Sequence, residues 1–359
     1  MAPLTPRVVH LIGADVGGAE QQLVGLLEED TSGAVRHEVL LVRDGPLRPA
    51  FCAVAPTVVL GKSSALDLRF LRQLVSRLRA SHADVLHTWT STPNLWGPPA
   101  ARLARVPRVV MAEVGLEDWK GRALRTADRV NYRLAGRVVG CAEAVSAAAV
   151  ERGAPAARTT TVPLAVRIPP SHVPRPQTST VLLLGRYDAR KGHAVLLDAV
   201  PTIRKDVPDV RVLMAGPAVQ PDELSVRSAV TDRVTAEGLQ GCVQVMDRMP
   251  VDEAMSQADV VVVPSTSEGL PNVVLEAFAH ERPVVATDVG GISEVVQDGA
   301  TGWLVPPRDS DALGAAVVSA LLQPDEAARR AHAGRQLAES RSFAHVVEAW
   351  HAVYASVLR

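Results

Sequence analysis

Short hydrophobic runs recur along the chain, and each is followed by glycine, proline or polar turn residues and then by a helical stretch. The clearest run is Asp259–Val263, which is apolar in the manner of a strand that a parallel sheet buries on both faces. Pro264 ends this run, and residues 265–269 have the composition of a turn. The pattern then predicts a helix over Val273–His280 and a strand over Pro283–Thr287. This alternation predicts an α/β protein built on parallel sheets.

The start of the chain shows the same alternation, with a strand predicted over Arg7–Ile12, a helix over Ala19–Leu27 and a strand over His37–Val42. Three glycines separate the first strand from the helix: Gly13, Gly17 and Gly18. This is a Rossmann-like opening, but the glycine spacing is G-x-x-x-G-G and not the G-x-G-x-x-G of a dinucleotide fingerprint. A nicotinamide cofactor is therefore disfavoured.

The length of 359 residues is long for one domain and comfortable for two. Proline and polar residues are dense in the segment VRIPPSHVPRPQT, which we interpret as an interdomain linker. The sequence therefore predicts a first Rossmann-like domain over 1–165, a linker over 166–178 and a second Rossmann-like domain over 179–340.

Composition supports two large cores, because 47% of the residues are hydrophobic and 21% are charged. The three cysteines are widely spaced and odd in number, which indicates a reducing compartment without a disulfide framework or a zinc site. We find no signal peptide and no apolar run of about 18 residues, so we expect a soluble cytoplasmic protein. Residues 1–170 carry 21 Lys and Arg against 15 Asp and Glu, whereas 171–359 carry 17 against 24, so the two domains should have different partners.

The turn after the apolar run at 259–263 has the features of an anion site. A strand that leads through a glycine turn into a helix places N–H groups and a partial positive charge at the edge of the sheet. Pro271 and Asn272 should open the helix, with the asparagine able to cap its N–H groups. Glu268 and Glu276 frame this turn and would repel a phosphate, so we expect them to accept hydrogen bonds from neutral hydroxyls. Phosphate on the amides and hydroxyls on the glutamates describes a nucleotide sugar.

A second candidate site follows the predicted strand Thr180–Leu184. Arg186 and Lys191 flank the turn GRYDARKG at the carboxyl edge of the second sheet, where folds of this kind bind ligands. Two cations at this place can neutralise a diphosphate leaving group.

The segments EGLPNVVLEA and GRYDARKG resemble the donor-site motifs of the retaining GT-B glycosyltransferases of family four. The resemblance covers nearly the whole chain, and its specific motifs lie in the second half. It implies a GT-B fold, in which two Rossmann-like domains face each other across a cleft, and a helix at 341–359 that crosses back to the N-terminal domain. The implied reaction is metal-independent, cofactor-free transfer of a hexosyl group from a UDP- or GDP-linked sugar to an acceptor. The acceptor would be a small molecule, a glycan or a lipid-linked molecule.

The resemblance also implies roles for individual residues. Glu268, Arg186 and Lys191 take the catalytic positions, with Glu268 on the donor sugar and Glu276 on the ribose. The donor-binding residues are Gly17, Gly18, Gly269, Leu270, Pro271, Asn272 and Glu276. Gly17 and Gly18 belong to GGAEQQL, which resembles the family's N-terminal loop, and Glu20 in that loop would face the acceptor.

The acceptor side is less well defined. A short strand, DVLH, ends at His87, and we expect the following TWTSTPNLWG to be a loop. The resemblance makes His87, Trp89 and Asn94 acceptor candidates, and the alternative is that each makes only local hydrogen bonds. Many relatives carry a basic residue or histidine at the end of the next strand, where this chain has Glu113, Val114 and Gly115, so that contact is unassigned.

Four arginines form a basic stripe at helical spacing: Arg122, Arg125, Arg129 and Arg133. One interpretation is a solvated surface that Asp128 partly neutralises. The other is a patch for an anionic acceptor or for peripheral contact with the inner face of a membrane. A nucleic-acid partner is disfavoured, because Tyr132 is the single aromatic residue among the arginines and the aromatic content of the chain is 3%.

Asp309 and Asp311 form a D-x-D pair, which in another glycosyltransferase fold would hold a divalent metal. Here the pair lies immediately before an apolar helical stretch, so we interpret the two acids as helix caps and predict no metal site. The sequence also allows two alternative functions: a nucleotide-sugar epimerase of GT-B fold, and a non-catalytic nucleotide-sugar-binding subunit.

Overall fold

The structure is a computed structural model that describes residues 5–15, 17–171 and 173–359. The chain divides into two compact units. Unit 1 contains the described residues up to Ala165 together with Arg341–Arg359, and unit 2 is Val166–Ser340.

Strands and helices alternate through both units. The strands of the described residues are β1 Arg7–Ile12, β2 Arg36–Leu41, β3 Thr57–Val59, β4 Val85–Trp89, β5 Arg108–Glu113, β6 Arg137–Gly140, β7 Thr159–Thr161, β8 Thr180–Leu184, β9 Arg211–Ala215, β10 Val243–Met246, β11 Val260–Val263, β12 Val284–Thr287 and β13 Trp303–Val305. The α-helices are α1 Gly18–Glu29, α2 Arg48–Val54, α3 Leu68–Ala80, α4 Ser91–Ala104, α5 Arg122–Leu134, α6 Glu143–Glu151, α7 His193–Asp206, α8 Pro221–Ala236, α9 Val251–Gln257, α10 Asn272–Ala279, α11 Ser310–Leu322, α12 Pro324–Glu339 and α13 Phe343–Leu358. Short 3-10 helices occur at Ala156–Arg158, Ala189–Lys191 and Ile292–Glu294.

Each unit is built around one parallel sheet. Within the described ranges, the strand order is β3-β2-β1-β4-β5-β6-β7 in unit 1 and β10-β9-β8-β11-β12-β13 in unit 2. The strand order reverses between β1 and β4 in unit 1 and between β8 and β11 in unit 2, and ligands of doubly wound sheets bind at such reversals. Both units therefore have the Rossmann-like α/β architecture with a parallel sheet that the sequence predicts.

The sheet of unit 1 is covered on both faces. One core cluster joins β1 and α1 to the last helix, α13, through side chains such as Ile12, Leu23 and Trp350. The opposite cluster contains Phe70 and Leu74 of α3. Residues close to the end of the chain therefore complete the core that the first residues begin.

The prediction of a loop after β4, over TWTSTPNLWG, is wrong, because most of that segment lies in α4. Pro98 and Pro99 lie inside α4 and cannot donate to the carbonyl groups four residues earlier, which is why the local sequence disfavours a helix. The side chain of Asn131 replaces the missing donors, since its Nδ2 donates to the carbonyl oxygens of Asn94 and Leu95 at 3.0 Å each. A contact from α5 thus stabilises a helix that its own residues do not predict.

The segment predicted as a linker contains neither a helix nor one of the strands above in its described residues, and His172 lies outside them. Its second half is hydrogen-bonded to unit 2. The fully buried Arg282 donates through Nη2 to the carbonyl oxygens of Val173 and Pro174 at 2.9 and 3.3 Å. The buried Asp259 carboxylate accepts three backbone N–H bonds, from Gln177, Thr178 and Thr180.

Candidate active site

The three predicted catalytic residues lie on loops that start at the same reversal of strand order. Arg186 and Lys191 follow β8, and Glu268 follows β11, which pairs with β8 in the sheet of unit 2. Because carboxyl ends of parallel strands meet at one edge, these loops leave β8 and β11 side by side. The topology therefore explains why residues 77 positions apart are close in space.

Lys191 and Glu268 form an ion pair with a distance of 2.6 Å between Nζ and Oε1. The hydroxyl of Ser265 donates to the same carboxylate oxygen at 2.8 Å. Both partners keep contact with solvent, with 24% of the Lys191 side chain and 12% of the Glu268 side chain exposed. A ligand phosphate can therefore reach this ammonium group, and a ligand hydroxyl can reach this carboxylate.

Arg186 has a different partner, since its Nη1 lies 2.7 Å from Oε1 of Glu223 on α8. Glu223 is buried, and its other oxygen accepts the backbone N–H groups of Val219 and Gln220 at 2.9 and 3.1 Å. Although burial raises the pKa of Glu223, these bonds and the Arg186 charge hold it below the usual range. Sequence reasoning missed Glu223; its signal was the capping box that it forms with Gln220 at the start of α8.

Two glycines allow the loops of the site to approach each other. Gly192 has φ +73°, and a Cβ there would overlap the carbonyl oxygen of Pro264 at the end of β11. Gly290 has φ +56°, and a Cβ there would overlap the carbonyl oxygen of Glu268. Both conformations are rare for residues with a side chain. The loops after β8 and β12 therefore close around the loop that carries Glu268.

The N-terminus of α10 points its first N–H groups to the same edge. The helix begins at Asn272, one residue before the prediction, and its N-cap is Pro271, so the prediction that Asn272 caps the helix is wrong. Pro271 has no side-chain acceptor, so the N-cap residue does not satisfy the N–H groups of the first turn. Leu270 is 5% exposed, and the N–H of Gly291 donates to the carbonyl of Gly269 at 2.6 Å. The N–H groups at the start of α10 can therefore bind an anion.

Glu276 lies on α10 and is half-buried. Burial raises the pKa of Glu276 to about 7, and the negative charge of Asp252 acts in the same direction. No donor among the described residues bonds its carboxyl group. A ligand hydroxyl would supply the partner that the protein leaves out, which fits the predicted contact with a ribose.

In unit 1, the predicted glycine loop leads directly into α1. Gly17 is the N-cap, and α1 begins at Gly18, while Val16 lies outside the described residues. Glu20 is 7% exposed, and its carboxylate lies over the loop, since a Cβ placed on Gly13 would be 2.9 Å from its Oε1. Whether these residues contact donor and acceptor remains a prediction.

The three acceptor candidates around β4 are all buried: His87 is 0%, Trp89 3% and Asn94 1% exposed. His87 Nδ1 lies 2.9 Å from the hydroxyl of Tyr354 on α13, and the Trp89 Nε1–H donates to His10 at 3.3 Å. These bonds join residues 267 and 79 positions apart in the sequence, so they are tertiary contacts within unit 1 and not the local bonds of the alternative interpretation. Their role as acceptor contacts stays a prediction.

Glu113 ends β5, at the place that the resemblance left unassigned. Its side chain is 1% exposed and lies 2.8 Å from Nη2 of Arg152, and it also accepts from Asn94 at 3.1 Å and from the hydroxyl of Tyr132 at 3.2 Å. Burial raises the pKa of Glu113 to about 7, although the charges of Lys120 and Arg152 oppose the shift. Glu113 is therefore held in a buried network within unit 1.

The basic stripe lies on α5, and its members are exposed: Arg122, Arg125, Arg129 and Arg133. One interpretation was that Asp128 partly neutralises them, but Asp128 is 2% exposed and pairs with the buried Lys120 at 3.0 Å. The stripe therefore presents more positive charge than the sequence suggested.

Asp309 is the N-cap of α11, and its Oδ1 accepts from the N–H of Ala312 at 2.9 Å, as the helix-cap prediction required. The described part of the chain contains no cluster of three or more His, Cys, Asp or Glu that could hold a metal ion. In the same residues, no helix combines the length and the hydrophobicity needed to span a bilayer.

Two family models match most of the chain between them. Residues 16–168 match the model described as Glycosyltransferase Family 4, and residues 178–323 match Glycosyl transferases group 1. The alpha-maltose-1-phosphate synthase of Mycobacterium tuberculosis (strain CDC 1551 / Oshkosh) is 33% identical over 355 residues, covering 87% of this chain and 89% of that protein. The phosphatidyl-myo-inositol mannosyltransferase of Mycobacterium leprae (strain TN) is 43% identical over 148 residues, covering 41% and 38%.

Solved structures agree on the fold. Anabaena HepE in complex with UDP and glucose superposes with a TM-score of 0.85 at 22% identity, covering 97% of this chain and 99% of that chain. Sucrose-phosphate synthase from Thermosynechococcus elongatus gives a TM-score of 0.83 at 19% identity, covering 98% and 99%. Two parallel-sheet units, the loops at the β8–β11 reversal and these matches lead to one assignment: the chain belongs to the group 1 glycosyltransferases of GT-B fold.

Proposed function

We propose that this glycosyltransferase moves a hexosyl group from a UDP- or GDP-linked sugar to an acceptor hydroxyl, with retention of anomeric configuration and without a metal ion or cofactor. The observation that carries the proposal is the partly exposed Lys191–Glu268 pair at the reversal between β8 and β11. The N-terminus of α10, with no side-chain cap from Pro271, lies on the same loop.

Each charged group then has one task. Arg186 and Lys191, together with the first N–H groups of α10, stabilise the diphosphate as it leaves. Glu268 accepts from a hydroxyl of the donor sugar, and Glu276 accepts from the ribose. In the free protein the Lys191 charge is balanced by Glu268, and the diphosphate shares that charge when it binds.

Retention follows if the acceptor attacks the face from which the diphosphate departs. No carboxylate of unit 2 is assigned as a covalent nucleophile, so we propose that the leaving phosphate accepts the acceptor's proton in a same-face attack. The acceptor is a small molecule, a glycan or a lipid-linked molecule. HepE is described in complex with UDP and glucose, which makes UDP-glucose the first donor to test.

The test is turnover of UDP- and GDP-linked glucose and mannose with an acceptor panel in excess EDTA, followed by NMR of the anomeric proton of the product. We expect transfer with retention, and we expect it to survive chelation. A nucleotide that binds the protein, present at 100 times its dissociation constant, should also raise the free energy of unfolding by about 2.7 kcal/mol. An isomerised donor without any acceptor would identify an epimerase, nucleotide binding without turnover would identify a binding subunit, and dependence on added magnesium would refute the metal-free reaction.

A further inference from the structure

Helix α1 contacts the chain next to both points at which the chain passes from one unit to the other. The chain leaves unit 1 after Ala165 and returns to it at Arg341, shortly before α13. Residues of unit 1 next to each crossing pack on α1, and they do so within one turn of each other. The same helix begins at Gly18, at the end of the glycine loop.

The outward crossing is held by Gln22. Its side-chain Nε2 donates to the carbonyl oxygen of Ala165 at 2.7 Å, and its Oε1 accepts from the N–H of the same residue at 2.8 Å. Gln22 is 5% exposed and Ala165 3% exposed, so both bonds are shielded from water. The side-chain amide of Gln22 therefore bonds both the N–H and the carbonyl of Ala165, the residue at which the first stretch of unit 1 ends, in the way that a neighbouring strand would.

The returning crossing is held at Gly25. A Cβ placed on Gly25 would overlap the ring of Phe343, the first residue of α13, so the absence of a side chain lets that ring lie against the helix. Gln22 and Gly25 are three residues apart and therefore lie on the same side of α1. Further along, the C-cap residue Asp30 bonds His351 of α13, which extends the contact between the two helices.

The distance from the glycine loop to these contacts is short. Gln22 lies four residues after Gly18, which is about 6 Å along a helix. Glu20 lies between them with its carboxylate over Gly13 and Gly17. A regular helix moves as a rigid element, so a displacement of its first turn is carried to the residues one turn further on.

We propose that α1 couples the glycine loop to both chain crossings, with Gln22 and Gly25 as positioning residues. This inference rests on the proposed function, because it takes Gly17 and Gly18 as donor contacts. A donor bound to the glycine loop restrains the position of α1, and α1 in turn restrains Ala165 and Phe343. Loss of either contact, Gln22 with Ala165 or Gly25 with Phe343, slows turnover and leaves nucleotide affinity in unit 2 unchanged.

The first test compares Gln22→Met with Gln21→Met. Gln21 is the neighbouring glutamine on α1, and no side-chain hydrogen bond of Gln21 occurs among the described residues, so it is a matched control. We expect Gln22→Met to lower kcat about tenfold, because the thioether cannot make either of the two hydrogen bonds to Ala165. Affinity for UDP and GDP, measured by calorimetry, should stay within twofold of the wild type. Equal kcat for the two variants would overturn the inference.

The second test does not depend on activity. Hydrogen exchange of peptides covering 160–170 and 341–350 is measured with and without saturating UDP or GDP, whichever the wild type binds. We expect the nucleotide to protect both peptides in the wild type and in Gln21→Met, and to lose its effect on 160–170 in Gln22→Met. An unchanged response in Gln22→Met would refute the coupling.

A third variant covers the case in which Gln22→Met fails to fold. Gly25→Ala should lower kcat, and Phe343→Leu should restore it in the double variant by removing the ring that meets the new methyl group. Failure of the rescue, or full activity of Gly25→Ala, would overturn the role of Gly25. If the wild type neither binds nucleotide nor turns over a nucleotide sugar, the proposed function itself fails, which is a distinct result.

Discussion

Each unit holds a carboxylate and a cation near the carboxyl end of a strand, and the two pairs differ in their access to solvent. Glu113 and Arg152 in unit 1 have side chains that are 1% and 9% exposed. Glu268 and Lys191 in unit 2 are 12% and 24% exposed. A buried pair cannot exchange partners, because each charge would be left without compensation. A partly exposed pair can exchange partners, so we expect the same chemistry to serve structure in unit 1 and ligand binding in unit 2.

The largest effect should come from the buried pair. Glu113→Ala leaves the Arg152 guanidinium without its carboxylate, and we expect a loss of about 3–5 kcal/mol in the free energy of unfolding. Denaturant titration measures it, with the exposed Glu151→Ala as the control, which should stay within about 0.5 kcal/mol. A loss under 1 kcal/mol would remove the contrast between the two pairs.

The exposed pair should affect catalysis and not folding. Lys191→Met removes the positive charge that we propose stabilises the leaving diphosphate, and we expect kcat to fall by about 10²–10³ with little change in stability. Lys205→Met, an exposed lysine on α7, is the matched control and should keep full activity. A variant at Lys191 that unfolds easily but turns over normally would show that this pair, too, is structural.

Substitution of the two glutamates predicted at the donor, Glu268 and Glu276, should have different effects on nucleotide affinity and on kcat. Glu276→Gln should weaken free nucleotide diphosphate binding by about 1–3 kcal/mol, because a buried polar contact loses its match. Glu268→Gln should lower kcat with nucleotide affinity nearly unchanged, because the proposed contact of Glu268 with the donor sugar would strengthen in the transition state. Calorimetry with UDP and GDP on both variants decides, and the reverse pattern would mean that the two residues are wrongly placed along the donor.

The raised pKa of Glu276 predicts a pH effect on the same binding step. Its value of about 7 means that the free protein carries a proton there below neutral pH. A ribose hydroxyl that donates to the ionised form should displace this proton, so affinity should fall as pH drops from about 7 to 5, by up to about tenfold per unit. Glu276→Gln has no proton to lose, and its profile should keep only the titration of the nucleotide. Parallel profiles for the two proteins would exclude Glu276 from the ribose site.

The smallest effect is expected at the basic stripe. Arg125→Ser with Arg129→Ser changes exposed side chains, so stability should stay within about 0.5 kcal/mol. If the stripe meets an anionic acceptor or membrane, acceptor KM should rise and binding to anionic vesicles should weaken, with nucleotide affinity unchanged. If neither acceptor KM nor vesicle binding changes, the stripe is only a solvated surface.

Local patterns predicted unit 2 better than unit 1. The strand, turn and helix from 259 to 280 are encoded by neighbouring residues, and their boundaries moved by one residue. Long-range contacts were not readable: α4 depends on Asn131, and Glu113 depends on Arg152, 39 residues away. Arg186 was predicted as a catalytic residue without its partner Glu223, which lies 37 residues further along the chain. The sequence shows which groups are present, but not which of them tertiary packing will bury.

The composition of unit 1 from two separate stretches of chain affects how the protein is made. Unit 2, at 166–340, is continuous and can complete its core as soon as it has left the ribosome. Unit 1 is synthesised first, yet the face of its sheet that packs on α13 stays open until residues 343–358 arrive. The half of the molecule that begins first is therefore the last to complete its core.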